Sequence, residues 1–121
     1  MKTEERILNA AFEQFVSSGF HGTKIREIVS KTGANVASVH YYFRSKEKLY
    51  KAVVFEIAKL IDNKNSLERQ DILLFIIGEM HTNKNLFFEA LSEYSESDWS
   101  SKIIELVKNS ISIINPDENE K

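Results

Sequence analysis

Val36, Ala37, His40 and Tyr41 fall on one side of the stretch 36–43 at helical spacing, and Val39 and Phe43, four residues apart, fall on the other. If Val39 and Phe43 anchor the inner side, the outer side presents small apolar groups, an imidazole and a phenol. Such a face can hydrogen-bond and pack against base edges in a DNA major groove, which is about 12 Å wide and admits one helix. Other chemistry is poorly provided for. The chain has no cysteine, so it offers no thiol nucleophile, no disulfide and no cysteine-based zinc site. It contains no glycine-rich phosphate loop, no H-E-x-x-H and no G-x-S-x-G. His81 stands near Glu79, but nothing completes a metal-ligand set around them. No catalytic residue, metal or cofactor is therefore expected.

The elements that must hold 36–43 are legible as helices. Glycine occurs at 19, 22, 33 and 78 only, Pro116 is the single proline, and no stretch alternates as a strand would. A first helix is expected from Thr3, as N-cap, to Ser18, with Ile7, Leu8, Ala11, Phe12, Phe15 and Val16 inward and Gly19 as its stop. After the turn 20–22, Thr23 is expected to cap a short helix over 24–31. Gly33 permits a sharp turn, and Asn35 caps the helix 36–43. Two short helices joined this way have the spacing of a helix-turn-helix. Ser45 caps a longer helix over 46–62, with Leu49, Ala52, Val53, Phe55, Ile57, Leu60 and Ile61 on its buried side. Asp62–Ser66 reads as a linker. Helices are expected over 67–77, 86–96 and 99–114, the last capped by Asp98 and stopped at Asn115–Pro116, ahead of a polar tail, 117–121.

The linked stretches Gly19–Val29, Thr32–Phe43 and Ser45–Leu49, read as GFHGTKIREIV, TGANVASVHYYF and SKEKL, resemble the N-terminal domain of the tetracycline-repressor (TetR) family over roughly residues 3–60. The resemblance implies an all-α bacterial transcription regulator, usually a dimeric repressor that releases its operator when a small molecule binds the C-terminal domain. Carried over residue by residue, it implies that Val36, Ala37 and Tyr41 face base edges. Asn35, Ser38, His40 and Tyr42 would contact the DNA backbone or cap the recognition helix. Thr23, and Ser45 with Lys46, would offer helix starts to phosphates, where free N–H groups and the helix dipole favour an anion. Thr23, Asn35 and Ser45 would also be chosen as plain caps, each worth about 1 kcal/mol, with no DNA present. The sequence departs from the family where a lysine is common (Val36), where a glycine is common (Ala37) and where an aromatic is usual (His40). Valine can offer a thymine methyl only an apolar surface. Histidine can still donate to a phosphate, more strongly when protonated.

The implied architecture is all-α: a helix-turn-helix DNA-binding domain over 1–45, a connecting helix over 46–62 and a shortened regulatory and dimerisation region over 63–121. The shortness fits a compact member, a truncated chain, or dimerisation through another surface. The helix 99–114, with Ile103, Ile104, Leu106, Val107, Ile111 and Ile114, is apolar enough for core or dimer interface, and with so little chain to cover it the interface is the expectation. Phe75, Met80, Phe87, Phe88, Tyr94 and Trp99 are candidates for a hydrophobic effector pocket, against the plainer reading that they form the core of a small bundle. Charge is divided: residues 1–60 hold ten Lys/Arg against six Asp/Glu, and residues 61–121 hold six against twelve. That split points to a polyanion partner for the first half alone. The N-terminus lacks a signal-peptide pattern, and the longest apolar run, Ile72–Ile77, is too short for a bilayer. A cytoplasmic homodimeric repressor of a palindromic operator is the reading that follows. Two others stay open: an effector-independent protein that heterodimerises with a full-length relative, and a small-molecule binding module with vestigial DNA binding.

Overall fold

A computed structural model describes residues 1–63 and 67–114, with side chains to residue 111. The chain forms seven helices, with no strand among the described residues: α1 Thr3–Ser18, α2 Ile25–Val29, α3 Val36–Phe43, α4 Lys46–Asn63, α5 Gln70–Thr82, α6 Lys84–Tyr94 and α7 Trp99–Ile114. No described helix is long and apolar enough to cross a membrane. Lys64–Ser66 of the expected linker, the stop at Asn115–Pro116, the tail 117–121 and the Ile114 side chain lie outside what is described.

Helix α4 is the spine, packed against α1, α3, α6 and α7. One apolar cluster runs from Ile7 on α1 to Leu106 on α7 without a break between the N-terminal helices and the rest. At its centre the Tyr50 ring meets Phe15 at 5.4 Å, Phe20 at 4.9 Å and Phe75 at 6.4 Å, all edge-on. The three tilted contacts are the geometry that ring quadrupoles favour. Tyr50 Oη donates to Glu79 Oε1 at 2.7 Å. Burial and that carboxylate push the phenol well above its ordinary range, so it stays a neutral donor.

Several boundaries differ from expectation. The N-cap of α1 is Lys2, not Thr3; Thr3 already lies in the helix and accepts a hydrogen bond from Arg6 at 3.2 Å. The N-cap of α2 is Lys24, not Thr23, and α2 ends at Val29. Thr23 is turned inward, its hydroxyl donating to the Gly19 carbonyl at 2.7 Å with the Gln14 carbonyl at 3.3 Å. Helix α5 begins three residues later than expected because Leu67 is a buried anchor whose N–H donates to Ser110 Oγ on α7 at 2.8 Å. It continues past Ile77 to Thr82, where Glu79 finds partners inside the protein. Asn35, Ser45 and Asp98 do act as caps, accepting from the amides of Ser38, Lys48 and Ser101. Gly33, at φ 73°, supplies the left-handed turn between α2 and α3.

Candidate nucleic-acid interface

Helix α3 is eight residues, about 12 Å long at 1.5 Å per residue, and is held by its own sequence at both ends. At the start, Asn35 Oδ1 accepts from Ser38 N at 2.9 Å and Ser38 Oγ at 3.1 Å, which fixes the first turn. Val39, 1% exposed, seats the inner side, and half-buried Phe43 packs beside it. Arg44, at φ 78°, ends the helix in a backbone conformation that side chains rarely adopt, and Ser45 starts α4 at once.

This seating leaves Val36, Ala37, His40, Tyr41 and Tyr42 exposed, as the helical spacing requires. Tyr41 is 71% exposed and meets the Tyr42 ring edge-on at 4.9 Å. His40 Nδ1 lies 3.1 Å from the Arg44 carbonyl; the tautomer with Nδ1–H donates to it and leaves Nε2 for another partner. Lys46, first residue of α4, holds its ammonium 4.2 Å from the centre of the Phe20 ring. Phe20 belongs to the turn between α1 and α2, so this cation–π contact ties the start of α4 to that turn.

Thr23 stands apart from the other expected site residues. It is 1% exposed and its hydroxyl proton is spent on main-chain carbonyls. The adjacent Lys24 N–H is taken by Glu27 Oε1 at 2.9 Å. Thr23 therefore shapes the turn instead of offering its hydroxyl to an anion. The six candidate pocket residues belong to the packing: Phe75, Phe87 and Trp99 are buried, and Met80, Phe88 and Tyr94 pack against the core. Their rings fill space through edge contacts, Phe75 to Phe87 at 6.2 Å, Phe87 to Phe88 at 5.7 Å and Tyr94 to Trp99 at 6.1 Å. This packing supports the plainer core reading.

Sequence reasoning did not single out Lys24, Arg26, Arg44 and Lys48, which are exposed on or beside α2, α3 and α4. With Lys46, they form no ion pair among the described residues, whereas Lys51, Lys59, Arg69 and Lys102 each hold a carboxylate. The positive balance of residues 1–60 was the available signal. Around α3 it becomes a group of cations with no carboxylate partner among the described residues, an electrostatic footprint suited to a phosphate backbone.

A family profile described as bacterial regulatory proteins, tetR family, matches residues 7–53, which include α2, the turn and all of α3. The regulator RutR of Escherichia coli K12 is 43% identical over 54 residues, 45% of this chain and 26% of RutR. The uncharacterized regulator YdgC of Bacillus subtilis is 32% identical over 79 residues, 60% of this chain and 40% of YdgC. The repressor NicS of Pseudomonas putida is 34% identical over 71 residues, 59% of this chain and 34% of NicS. Each match thus spans less than half the length of the curated relative. No solved structure matches the chain significantly.

Proposed function

Because residues 7–53 match the profile of the tetR family of bacterial regulatory proteins, we propose that the chain is a member of that family and a repressor that binds a palindromic operator as a homodimer. One observation carries this reading: α3 seats Val39 in the core, packs Phe43 against it and turns Val36, Ala37, His40 and Tyr41 outward on a capped helix of groove-filling length. Val36, Ala37 and Tyr41 read bases. Ser38, His40, Tyr42 and Lys46 hold phosphates, and Asn35 fixes the end of the helix that enters the groove. Residues 63–121 serve dimerisation and regulation, with a small hydrophobic molecule as the releasing effector.

A two-fold dimer is needed because one eight-residue helix reaches too few bases for tight binding, whereas two helices read half-sites about one turn of duplex apart. The deciding experiment selects bound sequences from random duplex DNA and measures the mass of the complex. Enriched inverted repeats, bound by two copies, support the proposal. Enrichment of no sequence, with salt-insensitive retention, overturns it.

A further inference from the structure

Glu79 is 3% exposed, and no cationic side chain among the described residues pairs with it. Its Oε1 takes three neutral donors from three places in the fold: Phe20 N at 3.3 Å, Tyr50 Oη at 2.7 Å and Asn83 Nδ2 at 3.3 Å. Its Oε2 lies where the last turn of α1 meets the last turn of α5, so that a Cβ built on Gly19 would come within 3.1 Å of it. A cleft of about 270 Å³ opens there, lined by Ser17, Ser18, Leu74, Gly78, Glu79 and Thr82 among others.

The lining is one-sided. Glu79 is the one charged residue among those that line the cleft. Ser17 and Thr82 direct their hydroxyls at the carbonyls of Gln14 and Gly78, at 3.1 and 2.9 Å, leaving oxygen lone pairs to accept. Two helix C-termini meet at the cleft, each carrying the negative end of its dipole; the last turn of α1 has no basic residue to offset it, and that of α5 carries His81, which is not among the residues that line the cleft. Val16, Leu74 and Phe75 add apolar wall. A buried carboxylate, oriented acceptors and two negative dipole ends call for a compact cation that brings its own N–H donors. The apolar wall suits a short carbon stem. The volume falls below that of drug-sized sites, which sets the size of the occupant.

We infer that the cleft between the ends of α1 and α5 is a binding site for a small primary alkylammonium, with the ammonium on Glu79 Oε2 and the stem against Leu74 and Phe75. The site is separate from α3 and does not depend on DNA binding. The test titrates the protein with n-butylammonium chloride, tetramethylammonium chloride and 1-butanol at matched ionic strength, following the backbone amide resonances of Gly19 and Phe20. The expected result is a saturable shift with n-butylammonium, at least ten-fold weaker with the cation that lacks N–H donors and with the uncharged stem. Gly78→Leu fills the cleft from a helical position whose Cβ has no atom within 4 Å, and should abolish the shift in a protein that still folds. Glu79→Gln should abolish it too; should that variant not fold, Gly78→Leu decides alone. An equal response to all three probes, no saturable response, or a shift that survives in Gly78→Leu overturns the inference.

Discussion

Lys46 and Tyr41, two residues of the proposed interface, should behave differently. Lys46 contributes a charge whose position is set by the Phe20 ring, 4.2 Å away, and a charge reads no sequence. Lys46→Ala is expected to weaken binding to every duplex alike and to reduce the slope of log affinity against log salt by about one, measured by fluorescence anisotropy over a salt series. A change in operator ranking with an unchanged slope would remove Lys46 from the phosphate contacts. Tyr41 is 71% exposed, so its truncation should cost little stability. Tyr41→Ala is expected to reorder affinities among operator variants, with each altered base contact worth about 1–3 kcal/mol. An unaltered ranking would end its base-reading role. The outward set on α3 was legible in the sequence because a 3.6-residue period with two apolar anchors leaves only one way to seat so short a helix. Thr23 was not legible. A threonine ahead of a helix suits an N-cap and an inward turn equally, and the choice fell to the carbonyls of Gly19 and Gln14, whose positions depend on how α1 ends.

Helix positions were more legible than the bonds between helices. The expected ranges of α3 and α7 match, because Asn35 and Asp98 cap them locally and their apolar periods are complete. The expected α5 ran over 67–77, and the error has two long-range causes: Leu67 is tied to Ser110, 43 residues away, and Glu79 is tied to Phe20 N, 59 residues away. No local pattern reports such a partner, and a glutamate after a glycine reads as a solvated helix end. Through Glu79, α5 is fastened to the turn ahead of α2 and to α4, on either side of the α2–α3 pair. Tyr50→Phe isolates the hydroxyl in that fastening, because the three ring contacts of Tyr50 can persist. Removing one donor from a buried carboxylate is expected to lower stability by about 1–3 kcal/mol, read from the midpoint of chemical denaturation. A loss near zero would mean that the Glu79 carboxylate does not depend on Tyr50.

At the scale of the whole molecule, cations unpaired among the described residues gather around α3, while exposed apolar surface is found both there and on α5 and α7. The acidic second half partly neutralises the first, with Glu89 and Glu93 on Lys51, yet leaves the cations around α3 unpaired among the described residues. The charge split was visible in the sequence; which cations stay unpaired was not, because that depends on how α4 and α6 face each other. Away from α3, large apolar side chains are exposed at Ile104 and Ile111 on α7, 54% and 47% exposed, and at Leu74 and Ile77 on α5, 68% and 46% exposed. Ile104 and Ile111 stand seven residues apart with half-buried Val107 between them, so they share a stripe two turns long, while Trp99, Ile103 and Leu106 fill the inner side of the same helix. Leu74 and Ile77 span a single turn, and Leu74 also borders the Glu79 cleft. The longer stripe is the better seam for a two-fold contact, since the same patch on each copy must cover the other. Ile104→Glu with Ile111→Glu is therefore expected to give the monomer mass by sedimentation equilibrium while the far-ultraviolet circular dichroism stays helical. Operator affinity should fall with it, because a single α3 reads one half-site. Leu74→Glu with Ile77→Glu should stay dimeric. The reverse pattern would move the seam to α5, and a wild-type protein that sediments as a monomer when bound to its selected sequence would remove the two-fold arrangement altogether.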